Sequence, residues 1–326
     1  MISQEDIFQI GSKKEFEKIT LKVFRHQYDN NFVYQQFCNF LKKDKTNVKS
    51  LTEIPFLPIQ FFKSHTVLSS SEPIQQTFTS SGTTGMQTSK HLVTDVSWYE
   101  MSYRLGFSEF YGNIEDYCVL ALLPSYLERD GSSLIYMVED LIQSSNHEDS
   151  GFYLNNYDEL ISKLIELDNS GQNVILIGVT YALLDLIEKQ KFQLKNTIIM
   201  ETGGMKGKRK EMIREELHSL LCNGFGVSKI HSEYGMTELL SQAYSLGDGV
   251  FECPQWMQVL IRDTEDALTY VSEGKTGGIN VIDLANINSC SFIATQDLGK
   301  KYPNHSFEVL GRFDNSDIRG CNLMVI

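Results

Sequence analysis

Apolar runs alternate with amphipathic segments through the middle of this chain, and this alternation limits the folds that it can adopt. The runs YCVLALLP, NVILIGVT and NTIIMETGG are each followed by a segment with helical spacing, namely SSLIYMVEDLIQSS, YALLDLIEKQ and KRKEMIREELHSLL. Strands buried on both faces of a parallel sheet read as continuous apolar runs, and helices connect them. The sequence therefore predicts an α/β fold with a largely parallel sheet.

The two ends of the chain have different patterns. Apolar positions recur at helical spacing in EDIFQI, EFEKITLKVFRHQY and FVYQQFCNFLKK, until Pro55 and Pro58 interrupt them in IPFLPIQFF. After Ser245, the segments WMQVLIRD, ALTYVSEGKTGGINVIDL and SFIATQDLG resemble hairpin strands with glycines at the turns. Within a single domain, we expect a helical segment over 1–70, an α/β core over 71–245 and a β-rich subdomain over 246–326.

Charge and composition restrict the partners of this chain. Its 326 residues carry a formal net charge of −13, which repels a phosphate backbone, and we expect no nucleic-acid partner. No signal peptide and no run of about 18 uncharged apolar residues is present, which predicts a cytoplasmic protein without a membrane span. The cysteines show neither CxxC pairs nor zinc spacing, which predicts separate, mostly buried thiols: Cys38, Cys118, Cys222, Cys253, Cys290 and Cys321.

The stretch TFTSSGTTGMQTSKH, from Thr77 to His91, is rich in hydroxyl groups and glycine. Glycines let the backbone approach a ligand closely, so that N–H groups and hydroxyls can surround phosphate oxygens while Lys90 adds a positive charge. Its order is not the GxxxxGK[ST] of P-loops. We expect a polyphosphate site here, with an ordinary surface turn as the alternative. The basic segment from Met205 to Arg214 is either a solvated helix start or a second phosphate contact.

Three further polar motifs follow along the chain. In HSEYGMTELLSQAYS, Thr237 and Glu238 combine a hydroxyl with a carboxylate, which can hold a phosphate oxygen and Mg²⁺, although Thr237 could instead cap a helix. In TQDLGKKY and LGRFDNSDIRGCN, an aspartate and an arginine can bind the hydroxyls of one sugar, or each motif can be only a turn.

Together and in this order, the four motifs resemble those of the adenylate-forming superfamily, which includes acyl-CoA and aryl-CoA ligases. The resemblance covers about residues 75–326 and implies binding of ATP and Mg²⁺ in the large N-terminal-type domain of these enzymes, with mainly parallel sheets flanked by helices and a smaller β subdomain. It implies phosphate contacts by Ser80, Ser81, Gly82, Thr83, Thr84, Gly85 and Lys90. It further implies phosphate and magnesium contacts by Thr237 and Glu238, ribose contacts by Asp297 and Arg312, and adenine contacts by Gly203, Gly204, Tyr234 and Gly235.

The chain departs from this superfamily pattern at several positions. Lys90 lies two residues later than the superfamily lysine, Gln296 replaces a glycine, and Asn315 replaces an aspartate in an arginine motif that is about one residue short. The superfamily normally continues into a lid domain that carries a catalytic lysine, whereas this sequence ends at Ile326. We therefore expect an adenylate-forming domain that lacks the usual lid.

Within the superfamily, the chain is most similar to the acyl-protein synthetases, or long-chain-fatty-acid–protein ligases, of luminous bacteria. The features that carry this resemblance are IPFLPIQFFKSH followed by TFTSSGTTG and the end of the sequence before the lid domain. That resemblance implies ATP-dependent activation of a fatty acid, transfer to a cysteine near the C-terminus, which would be Cys321, and an acyl-CoA reductase-type partner. Because RGCN also resembles the RGVN of phenylacetate-CoA ligases, Cys321 can instead be a plain strand residue. A CoA ligase without its lid and a non-catalytic nucleotide-binding subunit remain as alternatives.

The aromatic segment from Trp98 to Gly112 can line an acyl pocket or pack in the core.

Overall fold

The computed structural model describes residues 2–80, 88–124, 131–154, 156–203 and 212–313. Its helices are α1 (Gln4–Phe8), α2 (Lys13–Asn30), α3 (Phe32–Phe40), α4 (Phe61–Ser64), α5 (Ser97–Tyr111), α6 (Ser133–Ser145), α7 (Tyr157–Ser170), α8 (Thr180–Lys189) and α9 (Arg214–Phe225). Its strands are β1 (Leu57–Pro58), β2 (Gln76–Thr79), β3 (Lys90–Val93), β4 (Cys118–Leu122), β5 (Gly151–Phe152), β6 (Val174–Gly178), β7 (Thr197–Glu201), β8 (His231–Tyr234), β9 (Ala243–Ser245), β10 (Val250–Phe251), β11 (Met257–Arg262), β12 (Thr276–Asp283), β13 (Phe292–Lys301) and β14 (Phe307–Arg312).

The chain divides into two compact units. One consists of Glu72–Pro254, and the other combines Met1–Ser71 with Gln255–Ile326. The unit of residues 72–254 is here called the central unit, and the other is called the terminal unit.

A mainly parallel sheet forms the core of the central unit, as the apolar runs predict. Its strand order is β5-β4-β6-β7-β8-β9, in which all pairs are parallel except the antiparallel pair β8 and β9. Every residue of β4 and β6 is buried, because helices and loops cover both faces of such a sheet. The carboxyl ends of β7 and β8 lie at the same edge, and Gly203 and the YGMTE motif follow these two ends.

Helix α5 packs by its aromatic face. Trp98, Tyr99, Tyr103, Phe107 and Tyr111 are all buried, at spacings that follow the helical repeat. Most of this segment is therefore core, while Phe107 also lines a cavity that is described below.

The N-terminal helices and the C-terminal strands belong to one unit. In this terminal unit, β11 to β14 form an antiparallel sheet in chain order, and the short β1 adds to β13 in parallel. The fully buried Gln27 of α2 donates hydrogen bonds to the carbonyls of Asn286 and Ile287 at 3.0 and 2.9 Å, and accepts one from the amide of Ser291 at 2.9 Å. The helical segment thus packs against the connection between β12 and β13.

Within the described ranges, no helix combines the length and the apolar character needed to cross a bilayer.

Candidate active site

The hydroxyl-rich motif is the connection of a β-hairpin in the central unit. Strands β2 and β3 are antiparallel, with Thr79 opposite Lys90. Beyond this pair, the amide of Ser80 donates to the carbonyl of Ser89 at 3.1 Å, and the amide of Ser89 donates to the Ser80 hydroxyl at 2.9 Å. Lys90 is exposed and begins β3. The hairpin base is therefore closed by backbone and side-chain bonds between Ser80 and Ser89.

Five of the predicted phosphate ligands lie outside the described residues. These are Ser81, Gly82, Thr83, Thr84 and Gly85, which follow Ser80 directly. Gly204, Cys321, Asn315 and most of the basic segment before Arg214 also lie outside them.

His91, which no sequence motif singled out, joins the hairpin to the YGMTE motif. Its ring is fully buried, and its Nδ1 lies 2.8 Å from the backbone carbonyl of Thr237. Because a carbonyl oxygen only accepts hydrogen bonds, Nδ1 is the protonated nitrogen and donates. Two motifs that are 146 residues apart in the chain are thereby held together. The signal in the sequence was a histidine directly before the apolar pair Leu92 and Val93 of β3.

The YGMTE motif forms a turn directly after β8. Thr237 and Glu238 lie in this turn, which the amide of Leu239 closes on the carbonyl of Met236 at 3.0 Å, so Thr237 does not cap a helix. Glu238 is 5% exposed as a residue, and it follows Thr237 immediately, as the predicted phosphate and magnesium pair requires. A single carboxylate suits Mg²⁺, which commonly keeps water and phosphate oxygens as its other ligands.

Tyr234 and Gly235 form the start of this motif. The ring of Tyr234 is buried and contacts the ring of Phe251 edge-on at 5.9 Å. A side chain at Gly235 would collide with the carboxyl group of Glu233, which folds back over this residue. A larger residue at this position would therefore displace the carboxyl group of Glu233.

Glu201 is a second residue that the sequence analysis missed. It ends β7, and its buried carboxylate accepts hydrogen bonds from Arg214 at 2.8 Å, from the Ser232 hydroxyl at 2.7 Å and from the amide of Gly203 at 2.6 Å. Burial alone would raise the pKa of Glu201, but His218, Arg214 and these hydrogen bonds lower it to about 2. The carboxylate therefore fixes the turn at Gly203, whose φ of 73° lies in the left-handed region.

Arg214 is the described end of the basic segment. It begins α9, and its guanidinium lies over the ring of Phe251 at 5.1 Å, in addition to its ion pair with Glu201. Its charge is therefore balanced by a buried carboxylate, which differs from a solvated helix start.

In the terminal unit, Asp297 and Arg312 lie opposite each other on β13 and β14. The Nε of Arg312 donates to Oδ1 of Asp297 at 3.2 Å. Asp297 is 6% exposed, whereas the Arg312 side chain is 81% exposed. The two predicted ribose ligands are thus adjacent, and the guanidinium remains accessible to a ligand.

The buried Arg262 was also missed by sequence reasoning, and it fixes the strand that carries Asp297. Its Nη2 donates to the carbonyl of Thr295 at 2.6 Å. Its Nη1 donates to the carbonyl of Ile279 at 2.7 Å and to Oδ1 of Asn280 at 2.8 Å. The Thr295 hydroxyl in turn accepts from the amide of Asp297 at 3.1 Å. Arg262 therefore holds the backbone just before the aspartate.

Among the cysteines that the structure describes, Cys38, Cys118 and Cys290 are buried, while Cys222 and Cys253 are partly exposed. Burial raises the pKa of Cys38 to about 12 and that of Cys118 to about 11, so both remain protonated thiols at neutral pH. These buried cysteines are therefore poor nucleophiles, and three of the five described cysteines are buried, where the sequence predicted burial for most.

Solved structures identify the fold. A 2-hydroxyisobutyryl-CoA ligase in the postadenylation state matches over 95% of this chain and 70% of its own, with a TM-score of 0.69 and 10% identity. ATP-bound MatB from Rhodopseudomonas palustris matches over 74% of this chain, with a TM-score of 0.53 and 17% identity, and the match spans about half (49%) of the MatB chain. The fold is therefore that of the adenylate-forming enzymes.

The family follows from a sequence comparison. Residues 9–326 match the family described as acyl-protein synthetase, LuxE, and the chain belongs to this family. A long-chain-fatty-acid–luciferin-component ligase from Vibrio harveyi is 22% identical over 97% of this chain and 89% of its own length. The protein is thus a ligase of the acyl-protein synthetase type.

Proposed function

We propose that this protein uses ATP and Mg²⁺ to convert a long-chain fatty acid into an acyl-adenylate and then transfers the acyl group to a protein cysteine. The observation that carries the proposal is the bond between His91 and Thr237, which joins the hydroxyl-rich hairpin to the phosphate and magnesium motif. Family membership supports the reaction class, and the pairing of Asp297 with Arg312 supports the predicted ribose contacts.

In the first step, an oxygen of the fatty acid carboxylate attacks the α-phosphorus of ATP, and pyrophosphate leaves. Ser80 and the following loop residues, with Thr237, would hold the phosphate oxygens and orient the α-phosphorus for in-line attack. Glu238 would hold Mg²⁺, which neutralises phosphate charge when bound. Lys90 is exposed beside the same loop and can add a positive charge.

In the second step, a cysteine thiolate attacks the acyl carbonyl, and AMP leaves with the electron pair of the broken carbonyl–phosphate bond. Cys321 is our candidate for this thiolate, and Arg319 two residues earlier would favour ionisation. An acyl-CoA reductase-type protein in the cytoplasm is the proposed recipient of the acyl group. CoA as acceptor is the second candidate, since one enzyme with this fold, the 2-hydroxyisobutyryl-CoA ligase, is a CoA ligase by name.

The acceptor can be tested with radiolabelled tetradecanoic acid, ATP and Mg²⁺. We expect hydroxylamine-labile label on the wild-type protein and none on the Cys321→Ser variant. Cys253→Ser is the matched control, because Cys253 is a partly exposed cysteine outside the motifs, and it should retain the label. Label that persists on Cys321→Ser would remove Cys321 as the acceptor, and acyl-CoA formation without protein label would favour the CoA ligase.

A further inference from the structure

An apolar cavity lies in the central unit between the parallel sheet and helices α5 and α6. The sheet contributes Ile177 and Met200, the helices contribute Phe107 and Met137, and Tyr244 of β9 forms part of the wall. The free space holds no more than about one water molecule in this state. Two methionines line it, and their flexible side chains allow an apolar chain to enter by rotation.

Glu233 faces the same side of the sheet as this cavity. His231 lies opposite Met200, and successive residues of a strand alternate between faces, so His231 and Glu233 share the face of Met200. Tyr111 of α5 confirms this orientation, because its hydroxyl lies 3.2 Å from Nδ1 of His231. Glu233 is also directly opposite Tyr244 in the antiparallel pair of β8 and β9. Side chains in such a pair are neighbours, with Cβ atoms about 5 Å apart.

Both members of this pair lack a hydrogen-bond partner among the described residues. The Tyr244 hydroxyl is buried, and no described group bonds to it. The Glu233 carboxyl is half-buried, and no described residue forms a hydrogen bond or an ion pair with it. An unpaired polar group inside a protein costs about 1–3 kcal/mol, so the buried Tyr244 hydroxyl in the wall of an apolar cavity needs an explanation, and Glu233 is the polar side chain directly opposite it.

The surroundings of Glu233 keep its carboxyl group uncharged at neutral pH. Tyr99 and Tyr111 of α5, Tyr244 of β9 and His231 of β8 are its titratable neighbours on this face, and all are neutral, since burial and Lys229 lower the pKa of His231 to about 4. Burial and the negative charge of Glu201 raise the pKa of Glu233 to about 8. An uncharged carboxyl group can both donate and accept hydrogen bonds, and a tyrosine hydroxyl can do the same.

We propose that Glu233 and Tyr244 form the polar rim of an acyl pocket and select a fatty acid that carries a hydroxyl group on its chain. This inference rests on the proposed function, because it names the substrate class of the same site. A hydroxyl group accepts one hydrogen bond and donates another, which matches the two unpaired groups. Glu233 is four residues before Thr237, at the carboxyl end of β8, so the rim lies at the end of the cavity near the YGMTE motif. The hydroxyl group therefore belongs on carbon 2 or 3 of the acid.

The experiment compares 2-hydroxy- and 3-hydroxytetradecanoic acid with unsubstituted tetradecanoic acid. Binding is measured by displacement of a fluorescent fatty acid, and the same acids are then tested in ATP–pyrophosphate exchange. We expect one hydroxy acid to bind the wild type at least about tenfold more tightly than tetradecanoic acid, because a site built for a hydroxyl discriminates against its absence.

The variants assign this preference to the rim. In Tyr244→Phe and Glu233→Met, the affinities for the hydroxy acid and for tetradecanoic acid should differ by no more than about twofold. Glu233→Gln should retain most of the wild-type preference, because an amide also donates and accepts hydrogen bonds. Tyr111→Phe is the matched control, since it removes a hydroxyl that is already paired with His231. Tyr244→Phe should unfold at the same denaturant concentration as the wild type or a higher one, since it removes an unpaired buried hydroxyl.

Equal binding of all three acids by the wild type, or an unchanged preference in both Tyr244→Phe and Glu233→Met, would overturn the inference. The same experiment distinguishes a failure of this inference from a failure of the proposed function. Exchange with tetradecanoic acid but no preference would refute only the rim, whereas a rim-dependent preference without any exchange would refute only the adenylation reaction.

Discussion

At the scale of single residues, the candidate site depends on two carboxyl groups, the buried Glu201 and the half-buried Glu233, with opposite electrostatic environments. Glu201 is surrounded by donors and by Arg214, and its pKa is lowered, whereas burial and the charge of Glu201 raise the pKa of Glu233. They lie on neighbouring strands, β7 and β8, of one sheet. The first is expected to fix the backbone at Gly203, and the second to receive a ligand.

Replacing Glu201 tests the first role. Because its pKa is about 2 in the folded protein and 4.5 ordinarily, the carboxylate stabilises the fold above pH 4.5, and this contribution is lost as the pH falls toward 2. Glu201→Gln should lower the free energy of unfolding at pH 7 by about 2–3 kcal/mol, and the difference from wild type should shrink in acid. Urea unfolding at pH 7 and pH 3 measures this. The exposed Glu216 of α9 provides the control, Glu216→Gln, and an equal loss in both variants would contradict the assignment.

Glu233 should show the opposite pH dependence. Its folded pKa of about 8 exceeds the ordinary 4.5, so stability is fully present below pH 4.5 and is lost as the pH rises through 8. Glu233→Gln cannot ionise, and we expect it to be more stable than wild type at pH 9 by about 2 kcal/mol, with a smaller difference at pH 5. Unfolding curves of both proteins at the two pH values test this, and parallel pH dependences would refute it.

At the scale of elements, the hairpin of β2 and β3 is positioned by His91. His91→Ala should lower kcat for adenylation and raise KM for ATP by about tenfold or more, because loss of the contact shifts the phosphate motifs relative to each other. KM for the fatty acid should change less than about twofold. His91→Asn, whose amide nitrogen can replace Nδ1, should restore part of the loss. If kcat, KM for ATP and KM for the fatty acid all worsen to the same extent, in proportion to the loss of thermal stability, His91 has a purely structural role.

The sequence predicted the elements better than the contacts between them. Buried strands such as β4 and β6 and the flanking helices α6 and α8 are evident because apolar runs and helical spacing are local signals. The strand expected in VSKIH instead begins at its last residue, His231. The parallel pairing of β1 with β13 was not predicted, because the prolines of IPFLPIQFF indicate only the end of the helical pattern and not a strand. Motif order predicts Thr237, Glu238, Asp297 and Arg312 as ligand contacts, which stay candidates, but His91, Glu201 and Arg262 act through long-range contacts that no local pattern contains.

At the scale of the whole molecule, the two units contribute different parts of the proposed chemistry. The central unit carries the candidate phosphate, magnesium and acyl contacts, and the terminal unit carries the candidate ribose pair. The terminal unit depends on Arg262, whose three buried hydrogen bonds connect β11 to β12 and β13.

Arg262→Met should therefore remove the hydrogen bonds to the Thr295 carbonyl and to Oδ1 of Asn280, leave the Ile279 carbonyl only its bond from the Thr295 hydroxyl, and weaken nucleotide binding through Asp297. We expect KM for ATP to rise by at least about fivefold and the free energy of unfolding to fall by about 2–4 kcal/mol. Steady-state kinetics at saturating fatty acid and urea unfolding measure the two effects. Unchanged KM in a destabilised variant would show that Arg262 does not position Asp297.

The central claim is the activation of a fatty acid by ATP, and fatty-acid-dependent exchange of labelled pyrophosphate into ATP tests it most directly. The purified full chain, with ATP and Mg²⁺, should catalyse exchange that requires a long-chain or hydroxylated fatty acid. Exchange should fall by at least about 100-fold in Thr237→Ala and in Asp297→Ala. The absence of exchange with every carboxylic acid tested, from a folded protein that binds ATP, would contradict the account.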